Sequence, residues 1–210
     1  MTGDTLTLAQ WLSPAFPVGA FAFSHGIETA IREERVTDRV TLEAWLCDLI
    51  DFGSVRADVV LLSAAYQSDD FAGAQSAALA FQSSAERLEE TRQLGAAFCR
   101  TVRDVWEVDL PDLAYPVAIG RAAAMRGIPL QDTAALYAHA FLANLISAAV
   151  RLVPLGQTEG QAALARMQNA CEHLGQDAEN FALDDLCSAA FLSDIQAMRH
   201  ETLTPRIFQS

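Results

Sequence analysis

From Thr133 to Leu155 the chain holds no acidic residue and a single full charge, Arg151. Leu136, His139, Ala140, Ala143, Ile146, Ser147 and Val150 follow a helical spacing, yet the opposite side of the same helix is nearly as apolar. A helix that is hydrophobic all round must be covered all round. It is therefore either a membrane span or the axial helix of a helical domain. A span needs about 20 apolar residues. This run is rich in Ala rather than Leu, and His139, Asn144 and Arg151 interrupt it. Such groups are costly in lipid unless partnered. The run reads as a buried central helix over about 131–153, with no membrane partner.

Pro154 closes that helix, because proline lacks the N–H and clashes with the carbonyl four residues back. Gly156 and Gly160 bracket Thr158, which is placed to cap a further helix through Ala163, Met167 and Cys171. Arg151, on an otherwise apolar helix, needs either a buried acceptor or a partner.

A length of 210 residues suits one domain, 1–210, able to bury a core without disulfides or metal. Ala, Leu and Arg recur throughout without alternating β-branched runs, which predicts an all-α, single-domain helical bundle. The net charge of −13 argues against a general role on nucleic acid or anionic membrane. The four cysteines form no close pair, so neither a zinc ribbon nor a disulfide framework is expected. With no charged-then-apolar leader, a reduced cytoplasmic setting is the simplest expectation. No resident cofactor and no metal site is expected.

Residues 13–28, SPAFPVGAFAFSHGIE, form a loop of unusual composition. Pro14, Pro17 and Gly19 prevent a continuous helix, but a solvated loop would not carry Phe16, Val18, Phe21 and Phe23. It must pack, on its own domain or on another chain. Ser24 is placed to cap a helix to about Arg35, with His25 and Glu28 three apart on its first turn. That is the spacing of a metal or acid–base pair, although Glu near a helix N-terminus is favourable for the dipole alone. A long helix is expected over 39–67, with Trp45, Leu49, Phe52, Val55, Val59 and Leu62 inward. A short one follows at 71–81. Ser83 with Glu86 reads as a capping box for the next helix. Its face of Glu86, Glu89, Glu90, Arg92, Arg100, Arg103 and Asp104 reads as solvated or docking surface. Pro116 opens another helix, and 182–200 is expected to be helical with Leu186, Ala189, Ala190, Leu192 and Ile195 inward. In the final residues, Ile207 and Phe208 stand beside Arg206, the composition of an interface hot spot.

Three stretches, SPAFPVGAFAFSHGIE at 13–28, NLISAAVRLVPLGQTEGQ at 144–161 and MRHETLTPRIFQS at 198–210, together resemble the UreF family of urease accessory proteins. RLEETRQLG at 87–95 and YPVAIGRAAAMRGIPL at 115–130 support the same likeness. Phe23 stands where that family often has Tyr, Pro205 interrupts the tail, and Gln209 replaces a usually basic position. The resemblance implies an all-α protein, commonly a homodimer, acting in nickel delivery to urease. It implies binding to a UreD-like protein (also called UreH), recruitment of a UreG-like GTPase, and action on apo-urease. Phe16, Phe21, His25, Glu28, Arg151, His200, Glu201, Arg206, Ile207 and Phe208 are the expected partner-binding residues, with 1–12 and 201–210 ordered by partners.

Two function classes follow: a non-enzymatic accessory scaffold, or a small all-α enzyme using His25 with Glu28, or His200 with Glu201, in a helical cavity. No phosphate-binding loop of the G-x-x-x-x-G-K type is present, and the scattered histidines and cysteines assemble no nucleophile–base set. The scaffold is the expectation.

Overall fold

The computed structural model describes residues 3–210, so the first two residues of the 1–12 segment lie outside it. Among the described residues the chain is helical with no strand, as its composition predicts. Helix α1 (Gly3–Trp11) leads through the Pro-rich loop into α2 (Ile27–Arg32). Then come α3 (Arg39–Phe52), α4 (Ser54–Gln67), α5 (Ala72–Ala80), α6 (Ala85–Trp106) and α7 (Tyr115–Met125). The apolar run forms α8 (Leu130–Leu152), followed by α9 (Gln157–Asp177) and α10 (Phe191–His200). One contiguous core takes side chains from Leu8 to Phe208.

α8 packs along α9 and also meets α4 and α2. Gly160 faces Ile146 and Val150 while Gly175 faces Gln131 and Ala135, so α9 runs antiparallel to α8. The buried face of α8 is Thr133, Ala134, Tyr137, Ala138, Leu142, Leu145 and Ala149. Of the residues that share the helical spacing, Leu136, His139, Ala140, Ala143 and Val150 are only half-buried, Ser147 is exposed and Ile146 is buried. Both sides being apolar, periodicity could not choose between them. α8 has the length and mean hydropathy, 1.4, of a span, but half of that window is buried inside the protein.

α7 crosses α4 at very short range. A Cβ on Gly120 would lie 2.2 Å from the carbonyl oxygen of Leu62, so only glycine lets the two backbones meet there. At the other end of the chain, Trp11 is fully buried, with its ring edge-on to Phe98 at 5.4 Å and to Trp106 at 5.8 Å. The end of α1 is thus packed on its own domain.

Four local expectations need correction. Residues 39–67 are two helices, broken at Gly53, whose backbone is extended at φ −117° and ψ −152°. Phe52, at the break, is exposed rather than inward. Helix α10 begins only at Phe191, because 183–190 is tied down elsewhere. Ala189 N–H donates to the Phe52 carbonyl (2.8 Å), and Arg56 donates to the Asp185 carbonyl (3.2 Å). Leu192 and Ile195 consequently face solvent. Ser84, not Ser83, caps α6 by accepting from Arg87 N–H at 3.2 Å. Finally, α2 starts at Ile27 after Gly26, and Ser24 binds the far end of the chain instead.

Candidate functional site

Glu28 is completely buried on α2, and its carboxylate accepts the backbone N–H of Phe208 at 2.9 Å and of Ile207 at 3.0 Å. Arg32, one turn on, holds the same carboxylate at 2.9 Å. His200, also fully buried, lies between two acids, with Nε2 3.4 Å from Glu28 and Nδ1 2.7 Å from Glu86. Glu86 in turn pairs with Arg206. Burial alone would push the Glu28 carboxyl up. The N–H groups of Phe208 and Ile207, with His200 and Arg32, instead hold it below its ordinary value.

Beyond Phe208 the segment is pinned again. Gln209 N–H donates to the Ala22 carbonyl at 2.8 Å, and the Ser210 backbone oxygen accepts from Ser24 N–H at 2.8 Å and from the Ser24 hydroxyl. The Ser210 hydroxyl donates to Glu90 at 2.9 Å. Glu90 is the centre of a second buried set, 2.5 Å from Arg87 and 2.8 Å from His25 Nε2. Burial opposes the Glu90 charge, but Arg87 and then His25 bring its pKa down to about 2. His25 is held below its usual value by burial and by the Arg87 charge. Asp58 accepts from the Tyr137 hydroxyl at 2.8 Å, and burial pushes its pKa up to about 6 against the pull of Arg87.

These charges floor a cleft of about 490 Å³, within the range of ligand and side-chain pockets. Its walls are mostly apolar: Leu12, Phe16 and Phe21 from one side, and Leu136, Ala140 and Ala143 of the half-covered α8 face, with His139 among them, from the other. Asn144, from the same face of α8, donates to the carbonyls of Ala20 (3.0 Å) and Phe23 (3.2 Å) and so fixes the loop that forms the first wall.

The structure separates the residues expected from sequence. Phe16 is buried against Phe98 at 5.6 Å and Trp106 at 6.2 Å, whereas Phe21 is 61% exposed at the cleft. His25 and Glu28 do not act as a pair: His25 serves Glu90, and Glu28 serves the chain's last residues. His200 pairs with Glu86 and Glu28 rather than with Glu201, which accepts Ala85 N–H (2.7 Å) at the start of α6. His25, Glu28, His200 and Phe208 are buried within the chain, so none of them is itself available to a partner in this arrangement. The reason is mutual neutralisation, which lets charged groups sit inside. Arg151 lies exposed over the Phe208 ring at 5.9 Å, so its partner is internal. Ile207, at 66% exposure, and Arg206 face outward.

Three residues of the site escape sequence reading. The charge pattern puts Glu90 with Glu86 on a solvated or docking face. Arg87 carried no signal apart from its spacing of three from Glu90. Asp58 stands as the one acid in the apolar run VRADVVLL, and that isolation is a signal that could have found it. Among the described residues no group of three or more His, Cys, Asp or Glu side chains is arranged to hold a metal ion. The four cysteines are free.

Comparison with known proteins gives one consistent answer. The sequence model of the UreF family matches residues 36–168. The urease accessory protein UreF of Cereibacter sphaeroides strain KD131 is 49% identical over all of both chains. UreF of Roseobacter denitrificans is 48% identical, covering the whole of this chain and 95% of its own. UreF of Ruegeria pomeroyi is 47% identical over 98% of this chain and 96% of its own. With its helical fold and its closing residues folded back against the SPAFPVGAFAFSHGIE loop, the chain belongs to the UreF family of urease accessory proteins.

Proposed function

We propose that this chain is the docking scaffold of a urease-maturation complex, acting in the cytoplasm and required for nickel incorporation into the urease active site. It binds a UreD/UreH-like protein, recruits or regulates a UreG-like GTPase, and presents the ensemble to apo-urease, most simply as a homodimer. It is an accessory protein and not an enzyme, in keeping with the relatives' name. The alternative of a His/Glu active site gains nothing from the geometry. The acid beside His25 is already neutralised by Arg87, and His200 is sealed between two carboxylates.

The observation that carries the scaffold reading is the presentation of Ile207. Two hydrogen bonds to a buried carboxylate fix its backbone while its side chain stands in solvent beside Arg206. A preorganised apolar anchor next to arginine is the pattern of an interface hot spot. Phe191, Ile195 and Met198, at i, i+4 and i+7 on α10, add an exposed apolar stripe on one helix face. Ile207→Asp should abolish co-purification with the UreD/UreH-like partner while the helical spectrum of the free chain stays unchanged. Undiminished capture of that partner by the variant overturns this reading.

A further inference from the structure

We propose that the α8 cleft is a receptor for an apolar segment of a partner protein that carries one arginine or lysine side chain, the cation reaching Asp58 at the floor. The charges of the floor do not balance. Arg87 is bonded to Glu90 at 2.5 Å and reaches Asp58 only through space, so one cation faces two carboxylates, and His25, depressed by burial and by Arg87, adds no lasting positive charge. Asp58 is thus left as an extra carboxylate, only 6% exposed. Its Oδ2 accepts from Tyr137, whereas Oδ1 accepts no hydrogen bond among the described residues, and Asp58 faces the cleft. An uncompensated buried charge is costly, and a cation that enters with its own apolar stem relieves that cost.

The walls fit such a stem. Leu12, Phe21, Leu136, Ala140 and Ala143 offer apolar contact, and the net charge of −13 draws in basic segments from a distance. A carboxylate-bearing ligand would meet the extra charge of Asp58 at the floor, while Arg151, the other cation of the lining, is exposed over the Phe208 ring, so the floor selects by sign. The titratable and charged groups that line the cleft with Asp58 are Arg87 and Glu90 of α6, Tyr115 of α7, Tyr137, His139 and the exposed Arg151 of α8, and His25. Burial depresses His139 as well, so neither histidine supplies the missing cation near neutral pH. This inference goes beyond the scaffold reading: it needs neither Ile207 nor any urease component, and it stands or falls separately.

The test is fluorescence anisotropy with the full chain and a dye-labelled, end-blocked peptide Leu-Leu-Arg-Leu-Leu, against versions with Gln or Glu at the centre. At pH 7.5 the Arg peptide should bind saturably, and about tenfold or more tighter than the Gln peptide. Asp58→Asn keeps the acceptor for Tyr137 and should erase that preference, while Ala143→Trp fills the cleft and should abolish binding of both. Lowering the pH to 5 should reduce the Arg preference about tenfold in the native chain, which decides the matter should Asp58→Asn fail to fold. Equal binding of the three peptides, or no saturable binding, overturns the proposal. So does Arg-peptide binding that survives Ala143→Trp, or full competition by hexylguanidinium at the peptide's own affinity, which would mark a small-cation site instead.

Discussion

Glu28 and Phe208, 180 positions apart in the chain, are joined by a backbone N–H to carboxylate bond of 2.9 Å inside the protein. The carboxylate is fully buried and Phe208 is 4% exposed, so neither group has water to fall back on. The link makes the last residues part of the core, and at the same time fixes Ile207 and Arg206 at the surface.

Glu28→Ala should therefore unseat 205–210 and cost about 2–5 kcal/mol. It leaves the N–H groups of Ile207 and Phe208 unpaired, at about 1–3 kcal/mol for each buried group left unsatisfied. Urea denaturation measures the loss, and limited proteolysis should cut the freed end first. An unchanged midpoint would mean that water replaces the carboxylate without cost.

Arg206→Ala should leave folding nearly unchanged and weaken binding of the UreD/UreH-like partner by about 1–3 kcal/mol. Arg206 is partly exposed, so its ion pair with Glu86 counts for little in the free chain. Titration calorimetry of the purified pair, with thermal denaturation as control, separates the two effects.

The two phenylalanines of the first cleft wall should behave in opposite ways. Phe16→Ala removes a ring buried against Phe98 and Trp106 and should cost about 3–5 kcal/mol. Phe21→Asp alters a side chain that is 61% exposed and should change stability by only about 0.5 kcal/mol. If the chain forms a dimer through that wall, sedimentation of Phe21→Asp should show the monomer.

Asp58 and Glu90 should respond to pH with opposite signs. The folded pKa of Asp58, about 6, lies above its unfolded value. Its contribution is therefore most favourable at low pH and is lost as pH rises from about 4 to 6, by about 3 kcal/mol at most. The folded pKa of Glu90, about 2, lies below its unfolded value, so its contribution is present above about 4.3 and is lost as pH falls toward 2. Relative to the native chain, Asp58→Asn should accordingly gain stability between pH 4 and pH 7.5. Urea midpoints at the two pH values check the direction, and a constant difference would contradict it.

Gly120→Ala should destabilise, although alanine is the better helix former by about 1 kcal/mol. The added Cβ would meet the Leu62 carbonyl at 2.2 Å, and forcing α7 away from α4 should cost about 1–3 kcal/mol net. A raised thermal midpoint would show that the crossing has room to give.

Sequence alone determined the helical class, the apolar α8 ending at Pro154, the packed nature of the 13–23 loop and the family resemblance, because helix period, proline geometry and motif order are local properties of the chain. It also picked out residues that matter, Glu28, His200 and Phe208 among them, but assigned them to a partner. Only the tertiary structure decided that Phe208 turns inward and Ile207 outward, that Glu90 is buried rather than solvated, and that one apolar face of α8 stays open over Asp58. The reason is that a charge can be buried only when the groups that neutralise it and donate hydrogen bonds to it are in place. For Glu28 and Glu90 those groups include Phe208 and Ser210, which come from the far end of the chain.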